Sequence, residues 1–239
     1  MSSALAELIG EAHAFEDLEA FRQGIPGLLR HFVPADRASY NEMDDDPRGS
    51  WWTADPAVTE AGPELEATFA RLAGENPVLA YMRRTRDGRP YRISDFLSQP
   101  EYHRLPLYRE FYRHVGVEYQ VAFSLPSRPP VVIGLALIRS SEDFTNPEVG
   151  LLGAARPHLI QAYRNAELAA AREATIAALE ARLEDVGTSV IVVDRYGRVD
   201  MATPSGRRLL AGRLGGTADR LAPDVIEALA ARRAAGTPA

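Results

Sequence analysis

Between Tyr81 and Phe123 the chain concentrates aromatic and hydroxyl-bearing side chains. Tyr81, Tyr91, Phe96, Tyr102, Tyr108, Phe111, Tyr112, Tyr119 and Phe123 are nine of its seventeen tyrosines and phenylalanines, in under a fifth of the length. A small-molecule site is an apolar cleft with a few placed polar groups, and these residue types suit such a lining. The candidate lining is Tyr40, Trp52, Tyr91, Phe96, Tyr108, Phe111, Tyr112 and Phe123, with Ser94 and His103 as polar contacts. The same rings suit equally a core that packs two short helices on a sheet. Trp51 and Trp52, which follow the loop containing Pro47 and Gly49, are placed to act as a lid or as a surface contact.

Other chemistry finds little support. His13, His31, His103, His114 and His158 show neither an i, i+4 pair nor an acid at ligand spacing, so no metal site is expected. The acidic run Asp44 to Asp46 flanks Pro47 and Gly49 and reads as a solvated loop. Zero cysteines exclude disulfides, cysteine-held metals and thiol nucleophiles. There is no G-x-S-x-G elbow, no Walker loop and no G-x-G-x-x-G after a strand. The glycines from Gly212 to Gly216 follow a helix instead. Neither an enzyme nor a cofactor is indicated.

The elements that must position a site can be read from periodicity. Leu5, Leu8, Ile9, Ala12, Phe15, Leu18 and Phe21 form one amphipathic stripe, and a short helix is expected at Gly27 to His31. Arg37 to Glu42 reads as a first strand. Pro63 opens a helix that ends near Gly74, and Asn76-Pro77 caps another through Met82. A short extended piece spans Tyr91 to Ile93, and Ile93 to Gly116 reads as two short helices broken at Pro106. Tyr119–Leu125 and Val131–Arg139 form an antiparallel hairpin across SRPP. The second of these strands is apolar almost throughout and so should lie centrally in its sheet.

Thr145 and Glu148 form a capping box, and only Pro157 interrupts the helical pattern from there to Val186. A helix of nearly forty residues follows. Ile176, Leu179, Leu183 and Val186 recur at three, four and three residues, a coiled-coil seam that predicts a homodimer; packing on the helix's own domain is the alternative. From Ser189 a strand, the Tyr196-Gly197 turn, a second strand to Ala202 and a helix from Pro204 to Leu210 make a small second unit. The boundaries expected are 1–166 for the first domain, 146–186 for the overlapping helix and 187–239 for the last unit.

The chain has 239 residues, room for one to two domains at about 150 residues each. Its 46% hydrophobic and 25% charged residues are those of a globular protein. All 27 basic residues are arginine, and a net charge of −6 gives no steering toward a phosphate backbone. The N-terminus carries acids within its apolar stretch and has no cationic start, so it does not read as a secretory signal. The longest apolar run, Val131 to Ile138, is well short of the roughly 18 to 20 residues that span a bilayer. A cytoplasmic protein without membrane contact is expected.

Taken in order, the N-terminal helices, the first strand, the capped helix before ISDF, the strands GVEYQVAFSL and VVIGLALIR and the helix EDFTNPEVGLLGAARPHLIQAYRNAE resemble a known type. They are similar to the GAF-type sensory domains of actinobacterial LuxR-type transcriptional regulators, over roughly residues 1 to 170. The stretch GTSVIVVDRYGRVDMATPSGRRLL resembles the opening of a PAS domain, with Thr203 where asparagine is more usual. The resemblance implies an α+β fold: a GAF-like antiparallel sheet of five or six strands flanked by helices, a long linker helix and a small PAS-like fragment. It implies ligand sensing, with DNA bound only through a C-terminal helix-turn-helix that this chain lacks. GAF scaffolds hold cyclic nucleotides, tetrapyrroles, aromatics or nothing, and a cysteine-linked tetrapyrrole is excluded by the zero count. The alternative is a structural dimerisation module with no small-molecule ligand.

Overall fold

Asp17 divides the N-terminal stripe into two helices. Its carboxylate accepts the Ala20 N–H at 2.7 Å and starts a new helix one residue later. Hence α1 spans Ser3–His13 and α2 spans Leu18–Phe32, where the periodicity suggested one helix and a separate short one. The apolar spacing persists across the break because both helices face the same core, through Leu8, Ala12, Phe21, Ile25 and Leu29. The computed structural model describes residues 3–44, 51–53, 55, 58, 60, 62–126, 131–185, 188–194, 196–215, 217 and 219–234. They fall into two units, 1–169 and 170–239.

The first unit is built on a five-stranded antiparallel sheet, one of the two strand counts expected. Its strands are β1 (Arg37–Asp44), β2 (Trp51–Thr53), β3 (Tyr91–Arg92), β4 (Tyr119–Leu125) and β5 (Val131–Arg139), in the order β2-β1-β5-β4-β3. The apolar strand β5 is central, as its composition requires. Between β1 and β4 come α3 (Pro63–Leu72), a tight turn at Ala73–Glu75, α4 (Pro77–Thr85), the single-turn α5 (Gln99–Tyr102) and a π-helical turn at Tyr108–Tyr112. The SRPP loop and Asp45–Asp46 lie outside the described residues.

Register assigns the two faces of the sheet, because side chains alternate along a strand and paired residues share a face. Tyr40 pairs with Leu135, which pairs with Phe123. This face is apolar, and Phe21 of α2 meets Tyr40 edge-on at 6.4 Å. The opposite face carries the rows Ser39–Ala136–Ala122 and Asn41–Gly134–Ser124. Small and polar residues dominate it, and α3, α4 and the π-helical turn cover it.

Helix α6 runs Asn146–Asp185 as one 40-residue helix through Pro157. Its start is the expected capping box, with Thr145 N–H donating to Glu148 at 2.7 Å. Leu152, Ala155, Leu159, Ala162, Tyr163 and Ala166 recur at three and four residues and are buried in the first unit's core. Arg139, at the end of β5, pairs with Glu148, donates to the Pro34 carbonyl and lies 4.3 Å over the Phe144 ring. Residues 171–179 are all exposed, Ile176 and Leu179 among them; Leu183 is half-buried, and Val186 lies outside the described residues.

The second unit pairs β6 (Ile191–Val193) with β7 (Val199–Ala202), followed by α7 (Pro204–Gly212) and α8 (Pro223–Ala234). Thr203 caps α7 by accepting the Gly206 N–H at 3.1 Å. Ala202, Leu210 and Leu221 form its small core, against which Val225, Ile226 and Leu229 of α8 pack. The alanine- and arginine-rich sequence of α8 gave no clear stripe, and that helix was not expected. The whole is an α+β protein. No helix among the described residues is long and apolar enough to cross a membrane.

Candidate functional site

A cavity of about 320 Å³ lies in the first unit, between the small-residue face of the sheet and the helices over it. The sheet supplies the floor. Ser39, Ala122, Gly134 and Ala136 leave room that larger side chains would fill, and they adjoin one another in the register. Gly134 is a close approach: a Cβ there would come within 2.8 Å of the Met43 methyl. Phe69 of α3, Val78, Leu79 and Met82 of α4, and Phe111 and Tyr112 of the π-helical turn form the roof.

Asn76 ties roof to floor. Its Oδ1 accepts the N–H groups of Val78 and Leu79 at 2.9 and 3.0 Å, which starts α4 and fixes the orientation of the amide. The Nδ2 end must then donate, and it does so to Tyr112 Oη at 2.6 Å and to Gln120 Oε1 at 3.0 Å. All four hydrogen-bonding positions of Asn76 are filled. Burial pushes the Tyr112 phenol up to about 12, against the opposing effect of the hydrogen bonds it receives from Asn76 and Gln120. Tyr112 therefore stays protonated.

At the other end of β4, Arg156 reaches from α6 to the cavity wall, its Nε donating to the Ser124 carbonyl at 2.8 Å. Burial lowers its pKa, and the charge of Asp87 offsets part of that effect. Arg83 and Arg86, at the end of α4, belong to the same wall. Among the described residues no group of three or more histidines, aspartates or glutamates is arranged to hold a metal ion.

No protein-family model matches the chain, and no curated protein matches it. Among solved structures it is similar to the ligand-binding domain of VqsR from Pseudomonas aeruginosa, with a TM-score of 0.55 and 20% identity, covering 69% of this chain and 97% of that one. The two share a fold. The chain also matches the N-acylhomoserine lactone dependent LuxR family factor CepR2 from Burkholderia cenocepacia, at 14% identity and a TM-score of 0.45, over 68% of this chain and 92% of that one. A GAF domain of a phosphoenolpyruvate-protein phosphotransferase from Coxiella burnetii matches at 16% identity and a TM-score of 0.46, over 70% and 95%.

Of the residues singled out from the sequence, Phe111, Tyr112 and Phe123 border the cavity. Phe123 does so with its main chain, since register turns its ring to the opposite face. Tyr40 is on that opposite face, fully buried, and donates to Glu42 at 3.0 Å. Tyr91 and Phe96 form a three-ring cluster with Tyr81, at centroid distances of 4.9 to 5.7 Å. Ser94 donates to Asp143. His103 stacks on Tyr108 at 4.2 Å, and both bond Glu118, at 2.6 and 2.8 Å. Trp52 is paired with Glu42 at the sheet edge, and its side chain lies outside the described residues. Asn76, Gln120 and Arg156 were missed as a group. The signal was available in β4, where Gln120, Ala122 and Ser124 alternate with Val121, Phe123 and Leu125 and mark a small, polar face inside a buried sheet.

Proposed function

We propose that the first unit is a small-molecule sensory domain of a LuxR-type transcriptional regulator, GAF-like in construction, and that the cavity is its receptor site. The observation that carries this is the cavity itself. It is a partly open space of the size of small-ligand sites, with largely apolar walls and a buried, oriented Asn76–Tyr112–Gln120 cluster at one end. A core that needed only packing would fill such a volume, because voids cost stability. The sharing of fold with the VqsR ligand-binding domain agrees with this reading.

In this reading occupancy shifts the packing of the first half of α6, and the exposed second half reports it through a dimer contact at Ile176, Leu179, Leu183 and Val186. The strand pair after Ser189 acts as a PAS-like unit, and DNA contact falls to a helix-turn-helix, not to this acidic sensory part. An actinobacterial, cytoplasmic regulator fits the all-arginine basic residues and the absence of cysteine. The test is a thermal-shift and native mass spectrometry screen of small acyl and aromatic compounds. Binding to the natural chain and not to Ala136→Phe, which plugs the floor, supports the reading. No binder, or binders indifferent to the plug, refutes it and favours a purely structural dimerisation module.

A further inference from the structure

The two ends of the cavity differ in kind, and the difference specifies a ligand class. At the Gln120 end the hydrogen-bond accounting leaves one donor over. Asn76 can only donate to Tyr112 Oη, because its Oδ1 is committed to the start of α4. The Tyr112 proton has no acceptor among the described residues, although the side chain is only 3% exposed. Gln120 Oε1 is held by Asn76, and its amide nitrogen is the donor that Tyr112 Oη already receives, so both lone pairs of that oxygen are taken and only its proton is left over. This end therefore asks for an acceptor.

At the Ser124 end sits a cation. Among the described residues Arg156 makes one hydrogen bond, from Nε to the Ser124 carbonyl, and no ion pair with a carboxylate within 4 Å. Its guanidinium rests against Gly88, where a Cβ would stand 2.4 Å from Nη2. The Gly88 carbonyl accepts the Ser124 N–H at 3.1 Å, which fixes this seat to β4. Among the described lining residues there are three arginines and no aspartate or glutamate. A half-buried guanidinium that has lost hydration, and whose nearby Asp87 charge offsets only part of that loss, favours an anion. Gln120 and Ser124 are four residues apart on one strand, about 14 Å at roughly 3.4 Å per residue. Between them lie Ala122, Ala136 and Gly134, with no polar side chain.

We infer that the cavity takes an elongated, carboxylate-bearing amphiphile, its acid on Arg156, its apolar body over Ala122 and Ala136, and a carbonyl or hydroxyl oxygen accepting from Tyr112. This rests on the receptor reading above and adds the chemistry of the occupant.

The experiment titrates the 239-residue chain by calorimetry with three probes: decanoate, its methyl ester, and a keto-acid of the same chain length with its ketone at the far end. The keto-acid should bind most tightly and the ester least, by about tenfold or more relative to decanoate, as a charge-assisted bond requires. Arg156→Gln should erase the advantage of acid over ester and leave the ester's affinity unchanged, and Tyr112→Phe should erase that of keto-acid over decanoate. Thermal melts establish that each variant folds, and the acid-to-ester comparison on the natural chain needs no variant at all. An ester that binds as tightly as the acid, or an acid preference that survives Arg156→Gln, overturns this inference and leaves the receptor reading standing. If none of the three probes binds, this inference falls, and the receptor reading is decided by the broader screen of acyl and aromatic compounds.

Discussion

Asn76 offers the sharpest check on how the cavity is held open. Replacing it with alanine removes an N-cap, worth about 1 kcal/mol, and the donors to two buried acceptors, Tyr112 Oη and Gln120 Oε1, which adds roughly 1–3 kcal/mol. The total is about 2–4 kcal/mol, or roughly 4–16 °C in melting temperature for a unit of this size. Asn76→Ser separates the two contributions. Serine caps a helix well but cannot reach as a double donor, so it should recover about 1 kcal/mol of the loss. Urea unfolding followed by near-ultraviolet circular dichroism reads the tyrosine environment directly. The reasoning fails if Asn76→Ala costs under about 1 kcal/mol, or if serine is no better than alanine.

Three further outcomes follow from the same geometry. Burial alone pushes the Glu148 carboxyl up, but Arg139 and the Thr145 hydrogen bonds outweigh it and hold it down to about 2. Its stabilisation is thus complete above the ordinary glutamate pKa of about 4.5 and is lost as pH falls toward 2; the loss is about 1–2 kcal/mol after allowing for the water that reaches the pair. Acid denaturation of Glu148→Gln should lack that component, and an unchanged profile would show the pair to be inert. Ala136→Phe should abolish probe binding while keeping the melting temperature within a few degrees, since the ring enters existing space; a collapse in stability would mean the space is not there. Ile176→Glu with Leu179→Glu should convert a dimer to a monomer in sedimentation velocity without altering the first unit's melting, and a persistent dimer would place the interface elsewhere.

Much of the scaffold could be read from local chemistry. The Thr145–Glu148 box, the Asn76 cap and the hairpin strands Tyr119–Leu125 and Val131–Arg139 are each set by residues a few positions apart, so sequence alone displays them. The break at Asp17 was hidden because two helices packing on one core keep a single apolar phase. The cavity was harder to see. Aromatic density located the roof at Phe111 and Tyr112, but Tyr91, Phe96, His103 and Tyr108 are satisfied by one another and by Glu118 at some distance from it. Aromatic rings mark packing as readily as ligand contact. What makes the space is the smallness of Ala122 and Ala136 and the lack of a side chain at Gly134, and that becomes visible only when register places three strands side by side.

A crystal structure of the chain grown with the ten-carbon keto-acid addresses the central claim most directly. The expected result is continuous ligand density along β4 from the Arg156 guanidinium to the Tyr112 hydroxyl, with Asn76 still bridging Tyr112 and Gln120. Side chains of Phe69, Met82 and Phe111 turned inward to close the space, with no probe between sheet and helices, would contradict it.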